Sequence, residues 1–208
     1  MGDDWYRSAE WGPIAIQEFE ERLQRSRSYS RPQYLKIKAF VLVQAGHIEA
    51  GKSLFERVVD EYPDSFHTGA ALEGLGDLLW AQGEMHRAEQ AYRRLLREFP
   101  DLNGTTGEAR LALGEVLAEL YGGDAVEEAR ALLRESEKEI RSNATLFRAL
   151  LLSARVAEAA GDSALQVSEA SRALELLDAG PQLPHKPTIG VPKPTGAQLA
   201  DLRRLACQ

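Results

Sequence analysis

Cysteine is almost missing from this chain: Cys207 is the single one among 208 residues, so no internal disulfide can form and cysteine usage carries no sign of an oxidising compartment. It also stands too near the last position for a prenylation box, which needs its cysteine four from the end. Basic charge is in deficit, with 25 Lys and Arg against 32 Asp and Glu and a net charge of −7. That balance lacks the cationic footprint by which nucleic-acid binders neutralise phosphates. No stretch reaches the ~18 uninterrupted apolar residues of a membrane span, and "MGDDWYRSAEW" holds no basic segment leading into an apolar run. Gly2 lacks the Ser or Thr that N-myristoylation needs where Tyr6 stands. The expectation is a cytoplasmic protein with neither a membrane nor a nucleic-acid partner.

Catalytic and metal-ligating patterns are missing too. His47, His67, His86 and His185 are scattered, without the paired spacing zinc requires. "GLG" at 74–76 and "NGTTG" at 103–107 lack the strand, helix and lysine that surround a phosphate loop. Glu127, Glu128, Glu135, Glu137 and Glu139 form a charge run that reads as a solvated helix face rather than a general acid and base pair. The chain therefore reads as a non-enzyme with no cofactor and no metal.

What is present is helical periodicity that repeats. In "LEGLGDLLWAQGEMHRAEQAYRRLLREFP", Leu72, Leu75 and Leu79 share one helical face with Gly76. Ala88, Tyr92 and Leu95 mark a second helix, closed by Pro100. Between them Gly83 is placed where a helix ends in a left-handed residue. Comparable turn glycines are Gly46, Gly83, Gly123 and Gly161, separated by 37, 40 and 38 residues. Upstream, Gly51, Phe55 and Pro63 match Ala88, Tyr92 and Pro100. Downstream, Leu113, Gly114 and Leu117 match Leu75, Gly76 and Leu79, and a fourth copy keeps Ala154, Ala157, Ala170 and Ala173. In the third copy the second helix can be registered on Ala125 or Ala129, and its run to Ile140 reads as longer than its counterparts.

The pattern L-x-x-L-G-x-x-L, A-x-x-x-Y and Pro resembles the tetratricopeptide repeat over residues 31–178, most closely over 69–100. The resemblance implies an all-α, right-handed α-α superhelix, in which Gly76 and Ala88 are small because another helix occupies their space. Around it, residues 1–30 read as an aromatic segment and capping helix, with Ile16, Phe19 and Leu23 on one stripe. Residues 179–194 form a proline-rich tether, and 195–208 a short final helix.

Members of this family bind a protein partner in the groove lined by the first helix of each pair. Carried onto this chain, that groove takes Lys36, Phe40, Glu73, Asp77, Trp80, Glu115, Glu119, Arg148 and Arg155. Glu73, Asp77 and Glu115 make its centre acidic, so the expected partner offers a basic segment, and Trp80 is the expected anchor. From residue 179 the net charge is +3, leaving −10 on residues 1–178. The final segment is thus read either as a tethered ligand for the acidic body or as a cap on the fourth repeat. A self-associating scaffold, with a homodimer formed through a terminal hairpin, and a small-molecule-binding regulatory subunit are the alternative roles.

Overall fold

The computed structural model describes residues 4–182, 185–186 and 188–207. Gly2, and Pro184 and Pro187 of the proline-rich stretch, lie outside the described residues. Ten α-helices and no strand occur among the described residues, and they divide between two compact units, 1–106 and 107–208.

In the first unit α1 (Pro13–Arg25) starts on a proline at its first position, where the missing N–H costs nothing. It buries Phe19 and Leu23. Two hairpins follow, α2 (Arg31–Gln44) with α3 (Ile48–Glu61) and α4 (Thr68–Ala81) with α5 (Met85–Glu98). Gly46 at φ +87° and Gly83 at φ +77° make the turns in the left-handed region, which glycine enters without a Cβ penalty. The small residues lie where helices approach: a Cβ on Gly51 would stand 2.9 Å from the Ala39 carbonyl oxygen, and one on Gly76 would stand 2.7 Å from the Tyr92 ring. Gly76 is therefore small because Tyr92, fully buried, fills the adjacent space.

Ahead of α1 the chain lies against α2. Trp5 packs on Phe19 at 5.2 Å, Tyr6 stacks on Tyr34 at 4.7 Å and Trp11 meets Phe19 at 5.6 Å. Lys38 is 2% exposed beneath them. Its ammonium sits over the Trp11 ring at 5.1 Å and donates to the carbonyls of Ser8 at 2.6 Å and Glu10 at 3.2 Å.

The second unit holds α6 (Ala109–Tyr121), α7 (Val126–Ser136), α8 (Asn143–Ala159), α9 (Ser163–Glu175) and α10 (Gly196–Ala206). Its first turn differs from expectation: Gly122, at φ +51°, takes the positive-φ position, and Gly123 begins the approach to α7. Ala129 is the fourth residue of α7, as Gly51 and Ala88 are of α3 and α5, and it packs in the core with Leu111 and Leu152. That settles the register. α7 is also shorter than its counterparts, because it stops at Ser136, whose hydroxyl donates to the Leu133 carbonyl at 2.8 Å. A 3₁₀ turn over Glu137–Glu139 follows.

The fourth hairpin turns at Gly161, φ +76°. Its fourth-residue position is not small: Gln166 stands there, 2% exposed, and its amide donates to the Leu205 carbonyl at 3.0 Å. The last helix thus caps this hairpin. Leu202 and Leu205 are fully buried with Phe147, Leu151, Ala170 and Ala173, and Thr195 and Gln198 form a capping box at the start of α10. Among the described residues before α10, the Gln182 side chain accepts from the Asn143 backbone N–H at 2.9 Å and Pro192 is buried. Among the described residues no helix is long and apolar enough to cross a membrane.

Candidate partner-binding faces

Residues proposed for the groove fall in both units and meet different fates. In the first unit α2 supplies Lys36 and Phe40, and α4 supplies Glu73, Asp77 and Trp80. Phe40 is 38% exposed, with one edge of its ring on Phe55 at a centroid distance of 4.8 Å. Gly74 lets that ring lie against the α4 backbone, where a Cβ would stand 3.0 Å from its tip. Lys36 is half-buried, and burial pushes its ammonium below the ordinary lysine range. Burial first, and the nearby Lys36 charge second, hold His67 low. Asp77 is exposed and accepts from the Tyr92 hydroxyl at 2.6 Å, so it joins the surface to the fully buried ring. Trp80 is half-buried at the end of the same helix.

Glu73 is not an open groove acid. It is 4% exposed, and its carboxylate accepts from the Thr106 N–H and hydroxyl, both at 2.7 Å. A buried carboxylate needs such donors, and here they come from the loop after α5, whose left-handed residues Leu102 and Gly104 precede Thr106.

In the second unit Glu115 is 6% exposed and held by a two-pronged pair with Arg148, Nη2 to Oε2 at 2.5 Å and Nε to Oε1 at 3.1 Å. Burial pushes its carboxyl up, and Arg148 and Arg155 act against that shift. Arg148 also reaches Glu108 at 2.5 Å, and Glu108 accepts from Thr145 at 2.6 Å. Arg155 pairs with Asp201 of α10 at 2.8 Å. Glu158, at the end of α8, pairs with Arg204, which holds its carboxyl below the usual range. Glu119 is exposed near the end of α6. Glu73 and Glu115, central to the expected acidic face, are thus spent inside their own units. Two charges of the final segment serve its docking: Asp201 pairs with Arg155 and Arg204 with Glu158, both on α8.

Among the described residues no cluster of three or more His, Cys, Asp or Glu is placed to hold a metal. The tetratricopeptide-repeat family model matches residues 37–65 and 70–102. Over these two segments the chain matches the tetratricopeptide repeat. The two matched segments fall on the hairpins of the first unit, where Gly51 and Ala88 occupy the small positions. The fold is similar to the crystal structure of BtubC (BKLC) from P. vanneervenii, at a TM-score of 0.60 over 88% of this chain and 78% of that one. At 17% identity the likeness is one of fold. No curated protein matches the chain.

Sequence periodicity overlooked Lys38, Gln166 and the Tyr92–Asp77 bond. Gln166 carried a readable signal: a polar residue where the other repeats place Gly51, Ala88 and Ala129. Lys38 carried none, because its partners are backbone carbonyls of a segment with no periodicity.

Proposed function

We propose that this protein is a non-catalytic interaction module that holds a segment of a protein partner against the α2 and α4 faces of the first unit. The observation that carries the reading is Phe40, an aromatic ring left 38% exposed on the first helix of a matched tetratricopeptide repeat. Exposed aromatics surrounded by polar side chains are favoured binding anchors, because burying the remaining ring surface is a large apolar gain at little conformational cost. Trp80 extends the apolar contact, and Lys36 and Asp77 set the polarity on either side of it. With Glu73 withdrawn, Asp77 is the acid of this face that meets a basic residue of the partner. The preference for a basic segment is therefore local to one position.

The test is affinity capture from source lysate with the wild-type chain and a Phe40→Ala, Asp77→Lys variant, after circular dichroism has shown equal helicity. Partners that bind wild type and are lost from the variant support the reading. Equal capture by both would remove this face from consideration. Light scattering over a dilution series checks self-association, which would change the measured mass.

A further inference from the structure

The second unit carries a groove of about 390 Å³ between α7 and α9, floored by α8. The first unit carries a counterpart between α3 and α5, floored by α4. Moving along the chain by the spacing from Gly83 to Gly161 converts the lining of one into that of the other: Leu72 becomes Leu150, Arg94 becomes Arg172, Glu56 becomes Arg134 and Arg87 becomes Leu165. The last two changes alter what the groove can do.

In the first unit Arg87 of α5 bridges to Glu56 of α3 at 3.2 Å, and Lys52 of α3 reaches Glu84 at 2.5 Å. These bridges tie the rims together. In the second unit the acid has become Arg134 and the arginine has become Leu165, which is 40% exposed. Arg130, standing where Lys52 would, pairs with Glu127 on its own helix, and Asp162, standing where Glu84 would, caps α9. Among the described residues no hydrogen bond or ion pair joins α7 to α9. The groove stays open over half-buried Leu133, Ile140 and Leu146.

Three arginines, Arg130, Arg134 and Arg172, and two glutamates, Glu137 and Glu169, line it. Glu169 binds Arg172 at 2.6 Å, while Arg134 makes no ion pair among the described residues. An apolar floor between two helical walls, with an arginine lacking an acid at the rim, fits an occupant with aliphatic side chains below and a carboxylate above.

We propose that the α7–α9 groove docks an acidic amphipathic helix of a protein partner, its leucine-type side chains on Leu133, Leu146 and Leu165 and a carboxylate on Arg134. This site is separate from the α2 and α4 faces and stands or falls independently of them. Fluorescein-labelled amphipathic helical peptides of leucine, alanine and glutamate, with a matching set carrying lysine for glutamate, probe it by anisotropy. The glutamate set should bind about tenfold more tightly than the lysine set. Exchanging Arg134→Glu with Leu165→Arg reproduces the first unit's bridge and should weaken glutamate-peptide binding by about tenfold or more with helicity kept. Arg134→Gln, an exposed single change, should weaken it in the same direction, and Phe40→Ala should leave it unaltered. Methyl resonances of Leu133, Leu146 and Leu165 should shift on titration. No saturable binding of the glutamate set, equal affinity for both sets, or unchanged affinity in the Arg134 variants would overturn the proposal.

Discussion

Replacing Gly76 by alanine sets two effects of similar size against each other. In a helix interior the change gains about 1 kcal/mol of intrinsic propensity. Against this, the new methyl would stand 2.7 Å and 2.8 Å from Cε1 and Cζ of Tyr92. That ring cannot swing aside freely, because it is fully buried and its hydroxyl is bound to Asp77 at 2.6 Å. Overpacking of such a core costs about 1–3 kcal/mol, so Gly76→Ala should destabilise the first unit by about 1 kcal/mol net. Gly69→Ala is the internal control: its Cβ would meet the Phe99 ring at 3.4 Å, an ordinary contact, so propensity should prevail and stability should hold or rise slightly. All three tryptophans, Trp5, Trp11 and Trp80, belong to the first unit. Urea unfolding followed by their fluorescence therefore isolates the effect from the second unit. In a Tyr92→Leu background the Gly76→Ala penalty should shrink, a coupling that a double-mutant cycle reads directly. If Gly76→Ala stabilises as Gly69→Ala does, Tyr92 does not hold the space and the packing account of the repeat is wrong.

Further outcomes follow from buried polar groups and the terminal cap. Arg148→Met should cost the second unit about 2–3 kcal/mol, at the low side for a buried pair because Arg148 is 28% exposed. Burial raises the Glu115 carboxyl, so the folded state holds its proton more tightly than the unfolded chain. The penalty of an ionised Glu115 is then absent below the unfolded value and grows as pH rises through the folded one. The thermal deficit of Arg148→Met against wild type should accordingly narrow from neutral pH to about pH 5, and Glu115→Gln should relieve part of it at neutral pH. Glu73→Ala removes the carboxylate that accepts from the Thr106 N–H and hydroxyl and should cost about 2–3 kcal/mol by tryptophan-monitored unfolding. Leu202→Ala should cost about 2–3 kcal/mol and raise amide exchange over residues 196–206 before the rest of the unit, because α10 can undock alone.

The helical hairpins were legible because periodicity and punctuation are local. Leu72, Leu75 and Leu79 recur at helical spacing, and Gly46, Gly83 and Gly161 supply left-handed turns whatever surrounds them. Gly122 displaced Gly123 because adjacent glycines are equivalent to any local rule, and only the path into α7 chooses between them. Likewise Ala125 and Ala129 are both small, and the choice fell to the residue that packs with Leu111 and Leu152.

The charges were the least legible part. A carboxylate in a helical pattern looks the same whether it faces solvent or a neighbour, and its fate depends on groups far along the chain. Glu73 found Thr106, Glu115 found Arg148, and the final segment found Arg155 and Glu158. The sequence by itself determined an all-α chain of paired helices with small residues at their crossings, since these follow from spacing and from the φ preferences of glycine. Tertiary structure alone decided which acids are spent, that the last helix is a cap, and that the second unit's groove stays open where the first is bridged. Each of those depends on pairing between residues remote in sequence, which no local pattern encodes.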